Sequence, residues 1–261
     1  MDFSGRIEKI LSERKIIKNL TIRNVKIKYK DTWLGFVWAF LQPFCTIMIL
    51  YFVFSQVFET NIKLFPLYLC TGVIPWVFFS NALAEATGSL LNNSNLAHKI
   101  NFTLEIIPFS YCLLSLIDFI FALCILAPVL FCFGVVINFP VFLMIIPLSF
   151  LMLIFSCGLS FLLSALNVFF KDVAHLLQVV LMFWFYLTPI FYSVDNLNPS
   201  LKKIYVFNPM THFIGAYRDV MFYAKMPEIK TWSIMLCLAL VAFCVGWTFF
   251  VKHEKEMVKE L

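Results

Sequence analysis

Two carboxylates, Glu85 and Asp118, stand inside long apolar stretches of this chain. An ionisable group in such surroundings costs a few kcal/mol unless it faces protein or water, so both are candidates for function. The chemistry open to them is a proton relay. The plainer alternative is a hydrogen bond to Ser, Thr or Asn of a neighbouring helix near the membrane edge, and it is favoured because a relay needs more titratable groups than two. Other chemistry is poorly served. None of the eight glycines is followed by lysine, so there is no Walker A loop and ATP hydrolysis is excluded for this chain. There is no G-x-S-x-G or H-E-x-x-H run. The eight cysteines all lie in apolar segments without a C-x-x-C pair, and His98, His175, His212 and His253 are scattered over different polar segments, so no metal site is expected. The chain is expected not to be an enzyme and to bind no cofactor itself.

A second constellation is aromatic. Trp33, Phe36, Phe40, Phe44, Tyr51, Phe54 and Phe58 are spaced by three, four, four, seven, three and four residues, which puts them on one face of a helix. Phe65, Tyr68, Trp76 and Phe79 make a shorter stripe, and Phe183, Trp184, Tyr186, Phe191 and Tyr192 form a cluster. Flat rings can stack on the apolar C–H face of a sugar without holding it tightly. In a chain with 32 Phe the competing reading is packing or lipid contact, which is favoured outside the first stripe.

The elements that must position these residues follow from hydropathy. The chain is 62% hydrophobic and 13% charged, with a mean hydropathy of +0.90, which is too apolar for a soluble domain. Nine Lys/Arg residues precede Asp31, and Leu34 to Phe58 carries no charge. Spans are predicted near Leu34–Phe58, Phe65–Leu90, Pro108–Ile137, Val141–Phe169, Leu176–Tyr192 and Trp232–Val251. With six spans, fourteen Lys/Arg fall on the side of the termini and six on the other, which places both termini in the cytoplasm. The charged N-terminus lacks the apolar core of a signal peptide. The modest positive charge suits anionic lipid headgroups, and there is no nucleic-acid footprint.

Ile7, Ile10, Ile17 and Leu20 share a helical face opposite Lys9, Arg14, Lys15 and Lys18, the pattern of a helix lying in the membrane interface. Val25 to Lys30 alternates apolar and basic residues and is expected to be an irregular elbow. Between the fifth and sixth spans, Pro199, Asn208-Pro209 and Pro227 delimit two short helical pieces, near Leu201–Phe207 and Thr211–Ala224, expected to be re-entrant or interfacial on the outer face. The expected fold is therefore all-α: an interfacial helix and elbow over residues 1–30, then one six-span membrane domain over 31–261 with a cytoplasmic tail at 252–261.

Several runs resemble a known family. Tyr29-Lys30-Asp31-Thr32-Trp33-Leu34-Gly35 with Trp38 and Pro43, Gly72-Val73-Ile74-Pro75-Trp76-Val77-Phe78-Phe79, Leu166-Asn167-Val168-Phe169-Phe170-Lys171-Asp172, Thr188-Pro189-Ile190 and Phe207-Asn208-Pro209-Met210 are similar, in order, to the transmembrane subunit of polysaccharide ABC exporters of the O-antigen, capsule and teichoic-acid type. The resemblance implies a homodimer in the bacterial inner membrane, enclosing a channel for a lipid-linked polysaccharide. It also implies two nucleotide-binding subunits that carry the ATP and Mg. It makes Leu96 to Pro108 the coupling helix, with Leu96, His98, Lys99, Phe102 and Glu105 as contacts, although the family often has Pro-Arg where Thr103-Leu104 stand. Phe170, Lys171 and Asp172 would form a second ATPase contact. The conduit would be lined by Trp33, Phe36, Phe40, Phe44, Tyr51, Phe54, Trp76, Phe79, Trp184 and Tyr186, and Asn208 and Pro209 would sit in an outer gate. Arg6, Lys9, Arg14 and Lys15 would meet the pyrophosphate of the lipid. A small-molecule exporter of the same fold and a proton-coupled lipid flippase are the alternatives.

Overall fold

The computed structural model describes residues 3–30, 32–57, 64–99, 103–134, 138–193 and 205–261. It is all-helical, with no strand among the described residues. Two helices, α1 (Phe3–Ser12) and α2 (Arg14–Tyr29), precede a turn and α3 (Trp38–Val57). There follow α4 (Phe65–Asn92), the short α5 (Ser94–Lys99), α6 (Ile106–Cys132), the single turn α7 (Phe139–Phe142), α8 (Ile145–Phe169), α9 (Val173–Tyr186), α10 (Pro209–Met221) and α11 (Ile229–Glu260).

Five segments among the described residues are long and apolar enough to cross a membrane: Gly35–Phe54, Phe65–Asn92, Ile106–Cys132, Phe139–Phe169 and Ile229–Glu260. The sixth expected span, Leu176–Tyr192, is realised as the 14-residue α9. At 1.5 Å per residue α9 is about 21 Å long, short of a hydrocarbon core of roughly 30 Å. Its helix stops because Pro189 disfavours helical backbone at Thr188 and cannot donate to the ladder. The expected piece Leu201–Phe207 lies mostly outside the described residues, and the other is α10, two residues earlier at its start than expected.

A second expectation fails at Val25 to Lys30. These residues continue α2 to Tyr29 and do not form an elbow. The period-two pattern had no strand partner, and the helix gains ion pairs for Lys28 that an irregular chain would not aim. The bend comes later, at Gly35, whose φ of +52° is open to glycine and costly for other residues.

The bundle is built around α4. In its membrane window 72% of residues are buried, against 17% for α3, so α4 is the hub and α3 a peripheral helix. Phe79 and Phe78 of α4 stack on Phe155 of α8 and Phe119 of α6, with centroids 5.7 and 5.0 Å apart. The amphipathic α10 turns Phe213, Ile214, Tyr217 and Met221 into this core, with Phe213 stacked on Phe155 at 5.3 Å. Ile10, Ile16, Ile17 and Leu20 of α1 and α2 pack on the core as well, so the apolar face of the N-terminal helices covers protein.

The tightest contact joins α8 and α11. A Cβ on Gly246 would lie 1.8 Å from the carbonyl oxygen of Gly158, and one on Gly158 would lie 2.4 Å from the backbone of Ala242 and Phe243. Small residues let membrane helices approach to backbone contact, where dispersion attraction is greatest. The sequence signal was the pair Ala242 and Gly246, spaced by four. Gly246→Ala is expected to cost roughly 1–3 kcal/mol through overpacking, seen as a lower unfolding temperature of the detergent-solubilised protein. Gly215→Ala, which meets open space, should leave it unchanged; equal behaviour of the two variants would refute the contact.

Candidate functional site

The two intramembrane carboxylates meet each other through α2. Lys28 Nζ lies 2.7 Å from Glu85 Oε1 and 2.8 Å from Asp118 Oδ2, and the Tyr29 hydroxyl donates to Asp118 Oδ1 at 2.9 Å. Asp118 stands twelve residues into α6, about 18 Å along its axis, so the end of α2 reaches well past the first turns of the bundle. The main partner is an ammonium, and Ser115 of α6, a residue of the expected type, also interacts with Glu85. Burial pulls the Lys28 pKa down, but the nearby charges of Glu85 and Asp118 outweigh it and leave it above the ordinary lysine value. Lys28 is thus a cation throughout the physiological range. A cavity of about 50 Å³ opens beside it, lined among others by Gln42, Asn81, Ser115 and Asp118.

The same seam runs back along α2 and α1. Asn24 donates to Ser110 Oγ at 2.9 Å, and Arg23 to Asn93 Oδ1 at 2.6 Å. Glu13 accepts from both the amide and the hydroxyl of Thr103. Arg6 bridges Glu105 at 2.6 Å and Glu254, and Trp247 Nε1 donates to the same Glu105 oxygen at 3.2 Å. Burial lowers the Arg6 pKa and the two carboxylates more than restore it, so it also stays charged. The N-terminus, the segment between α5 and α6 and the end of α11 are therefore tied at one end of the bundle, called the basic end.

The other end is organised by Asn208. Its side-chain oxygen caps α10 through Met210 N at 3.0 Å and accepts from Trp184 Nε1 at 2.8 Å. Its amide donates to Leu187 O at 3.1 Å and Thr188 Oγ1 at 3.2 Å. One asparagine thus satisfies the end of α9 and the start of α10, and Pro209 occupies the first helical position where its missing N–H costs nothing.

The remaining expected site residues divide. Of the conduit set, Trp33 is 98% exposed, and Phe44, Tyr51 and Tyr186 are exposed as well. Phe36 turns inward, its ring 4.8 Å from Tyr29 and 4.6 Å from Phe121. Phe40 stacks on Phe44 at 5.6 Å, and Phe54 on Phe191 at 4.7 Å. Trp76 and Phe79 are buried, in contact with the half-buried Trp184. Phe58 lies outside the described residues. In the coupling set Leu96 is half-buried and Glu105 buried against Arg6, and Phe102 lies outside the described residues, as do the side chains of His98 and Lys99. Phe170, Lys171 and Asp172 are exposed on the turn before α9. Asn167 supports that turn, donating to Thr87 O at 3.1 Å and accepting from Ala174 N at 3.0 Å. Among the headgroup cations Arg14 and Lys15 are exposed, Lys9 is half-buried and Arg6 is engaged in its ion pairs.

The sequence reading gave no role to Lys28, which entered only in the count of N-terminal cations, and none to Tyr29 or Asn167 beyond their places in the runs that carry the resemblance. The available signal was that two carboxylates in spans had no cation in any span, which leaves the adjoining basic helix to supply one. Lys28→Met is expected to cost about 3 kcal/mol, at the low end for a buried pair because Lys28 is 28% exposed. Lower accumulation and heat stability would report it. Adding Glu85→Gln and Asp118→Asn should recover most of the loss, and a Lys28→Met variant as stable as the parent would mean that the pair is idle.

The comparisons accord with this architecture. The model of the ABC-2 type transporter family matches residues 16–222. The chain is 23% identical over 262 residues to the O-antigen export system permease protein RfbA of Myxococcus xanthus, covering 98% of each chain. It is 27% identical over 242 residues to RfbA of Klebsiella pneumoniae, covering 93% of each. To the polysialic acid transport protein KpsM of Escherichia coli it is 19% identical over 244 residues, covering 93% of this chain and 95% of that one. A family match across most of the chain, on a bundle of apolar helices, makes this protein a member of the ABC-2 type transporter family.

Proposed function

We propose that this chain is the permease subunit of an ABC exporter for a lipid-linked polysaccharide, with O-antigen as the first class to test. The observation that carries the reading is its similarity, over 93–98% of its length, to O-antigen export system permease proteins and to a polysialic acid transport protein. Two copies enclose the conduit, α9 completes a six-span protomer as a short span, both termini face the cytoplasm of the bacterial inner membrane, and α10 is re-entrant from the outer face. Two separate ATPase subunits supply ATP hydrolysis at the basic end.

The exposed faces support this arrangement. Trp38, Phe44, Met48 and Tyr51 on α3, with Val180, Phe183 and Tyr186 on α9, leave apolar and aromatic surface exposed on the protomer. A second copy and a sugar chain can share it, the first through apolar burial and the second through ring stacking. The exposed Phe170-Lys171-Asp172 turn, held by Asn167, is the docking contact. Glu105 has a different part in this reading: with Arg6 and Trp247 it keeps the coupling segment attached to the N-terminal helix. Pairing of Glu85 and Asp118 with Lys28 accounts for both carboxylates without a proton relay.

Reconstitution of the permease with its ATPase in liposomes, assayed for ATP-dependent movement of lipid-linked polysaccharide, tests the function. Transport of small drugs with no effect of lipid-linked glycan would refute it. Reversing both docking charges, Lys171→Glu with Asp172→Lys, should weaken ATPase binding roughly tenfold, about 1.4 kcal/mol, in a pull-down titration. Phe44→Leu with Tyr51→Leu keeps comparable apolar area and removes the flat rings. With stacking worth about 1 kcal/mol per ring, export should fall roughly tenfold or more at unchanged protein level. Normal export of long polysaccharide by that variant would leave the stripe as packing.

A further inference from the structure

Arg218 is a buried cation with an unusual set of neighbours. It lies near the end of α10, is 6% exposed, and among the described residues no carboxylate is within ion-pair distance. Its two terminal nitrogens donate to the carbonyls of Pro189 at 3.0 Å and Ile190 at 2.9 Å. The guanidinium carbon sits 3.7 Å above the ring of Tyr68 on α4. Those two carbonyls belong to the break that ends α9, where Pro189 has removed the helical ladder and left acceptors to be satisfied. A forked, planar donor can meet two successive carbonyls and stack on an aromatic face at once, which an ammonium cannot.

The surroundings are shaped to admit it. A Cβ on Gly72 would lie 3.1 Å from an Arg218 terminal nitrogen, 3.2 Å from Ile190 Cγ2 and 3.3 Å from Ile190 O, so a side chain there would crowd both the guanidinium and the break. Tyr68 also donates to Tyr192 O at 3.1 Å, and Phe191 is gripped by Phe54 of α3 at 4.7 Å. The segment that follows α9 is therefore held by α10 and α4 through one charged side chain and by α3 through one ring. A buried charge with no counter-ion is expensive to keep, and an arginine that spans a helix break is placed to hold that break in one conformation.

We propose that Arg218 is the latch of the outer gate: by clamping the Pro189 and Ile190 carbonyls it fixes α10 against the end of α9 and keeps the conduit sealed at rest. Arg218 is a positioning residue, acting through the break and touching no transported sugar. The inference rests on the channel reading given above. The neighbouring Asp219 feels the Arg218 charge without pairing to it, so replacing Arg218 acts mainly on the two carbonyls and on the stack with Tyr68.

The test uses the full permease–ATPase complex in liposomes loaded with a small fluorescent dye. Without ATP, liposomes carrying the parent complex should hold the dye. Arg218→Met should leak at least tenfold faster at equal protein content and equal unfolding temperature, and Arg218→Lys should fall between them, since an ammonium can serve one carbonyl at a time. An Arg218→Met complex as tight as the parent overturns the proposal. Where Arg218→Met does not accumulate, Arg218→Lys is read in its place, because it keeps the charge and gives up one of the two carbonyl contacts: leakage above the parent supports the latch and a complex as tight as the parent overturns it. Failure of the parent complex to move any lipid-linked polysaccharide would strike the channel reading itself, whereas export by the parent together with a sealed Arg218→Met complex strikes only the latch.

Discussion

An ionised group surrounded by hydrocarbon must find a partner, and in this molecule that requirement decides where the N-terminal helix goes. Glu85 and Asp118 face each other from α4 and α6, two negative charges that would repel in a low-dielectric setting. Lys28 sits between them and Tyr29 adds a donor. Once Lys28 is held there, α2 cannot float freely in the headgroup layer. Its remaining polar contacts, Asn24 to Ser110, Arg23 to Asn93 and Glu13 to Thr103, fall into register behind it. The helix is amphipathic, as its apolar face required, yet its apolar residues and several of its polar ones serve the protein.

Much of the fold was legible because membrane spans are written in composition. Twenty apolar residues with no charge have few other places to go, so α3, α4 and α8 could be located to within a few residues, while α6 ends five residues before its expected end and α11 runs nine residues past its own, through the expected tail to Glu260. α9 was overestimated because hydropathy does not register where backbone hydrogen bonding stops: Leu187 to Tyr192 is apolar, but Pro189 ends the helix before it. The error at Val25 to Lys30 has the opposite origin. A two-residue period was read as disfavouring helix, whereas the deciding energy was tertiary and came from residues about 60 and 90 positions away.

The site was less legible, and for a consistent reason. Periodicity says which residues share a face but not what that face meets. The stripe from Trp33 to Phe54 does share a helix side in part, yet Phe36 and Phe54 are taken up by Phe121 and Phe191 while Phe44 and Tyr51 remain exposed. Glu105 was read as a contact for a partner because the resemblance made its segment the coupling helix, and it is buried under Arg6 and Trp247. Residues whose importance comes from a long-range partner, such as Lys28, Asn167 and Arg218, carry no local mark. Each became visible only when two apolar segments with unexplained polar groups were set side by side.

The glycine contact between α8 and α11 bears on how such a bundle can move. Two helices that touch through side chains can slide by exchanging rotamers, because the side chains act as a deformable layer. At Gly158 and Gly246 there is no such layer, and sliding would drive one backbone into the other. α8 and α11 therefore travel together as a stator. α3, with the least buried membrane window, and the short α9, with only Leu177 and Leu181 fully inside, are the helices least embedded in the protomer. The least tightly packed helices thus lie on the exposed aromatic side of the protomer, and the glycine contact marks its most rigid seam.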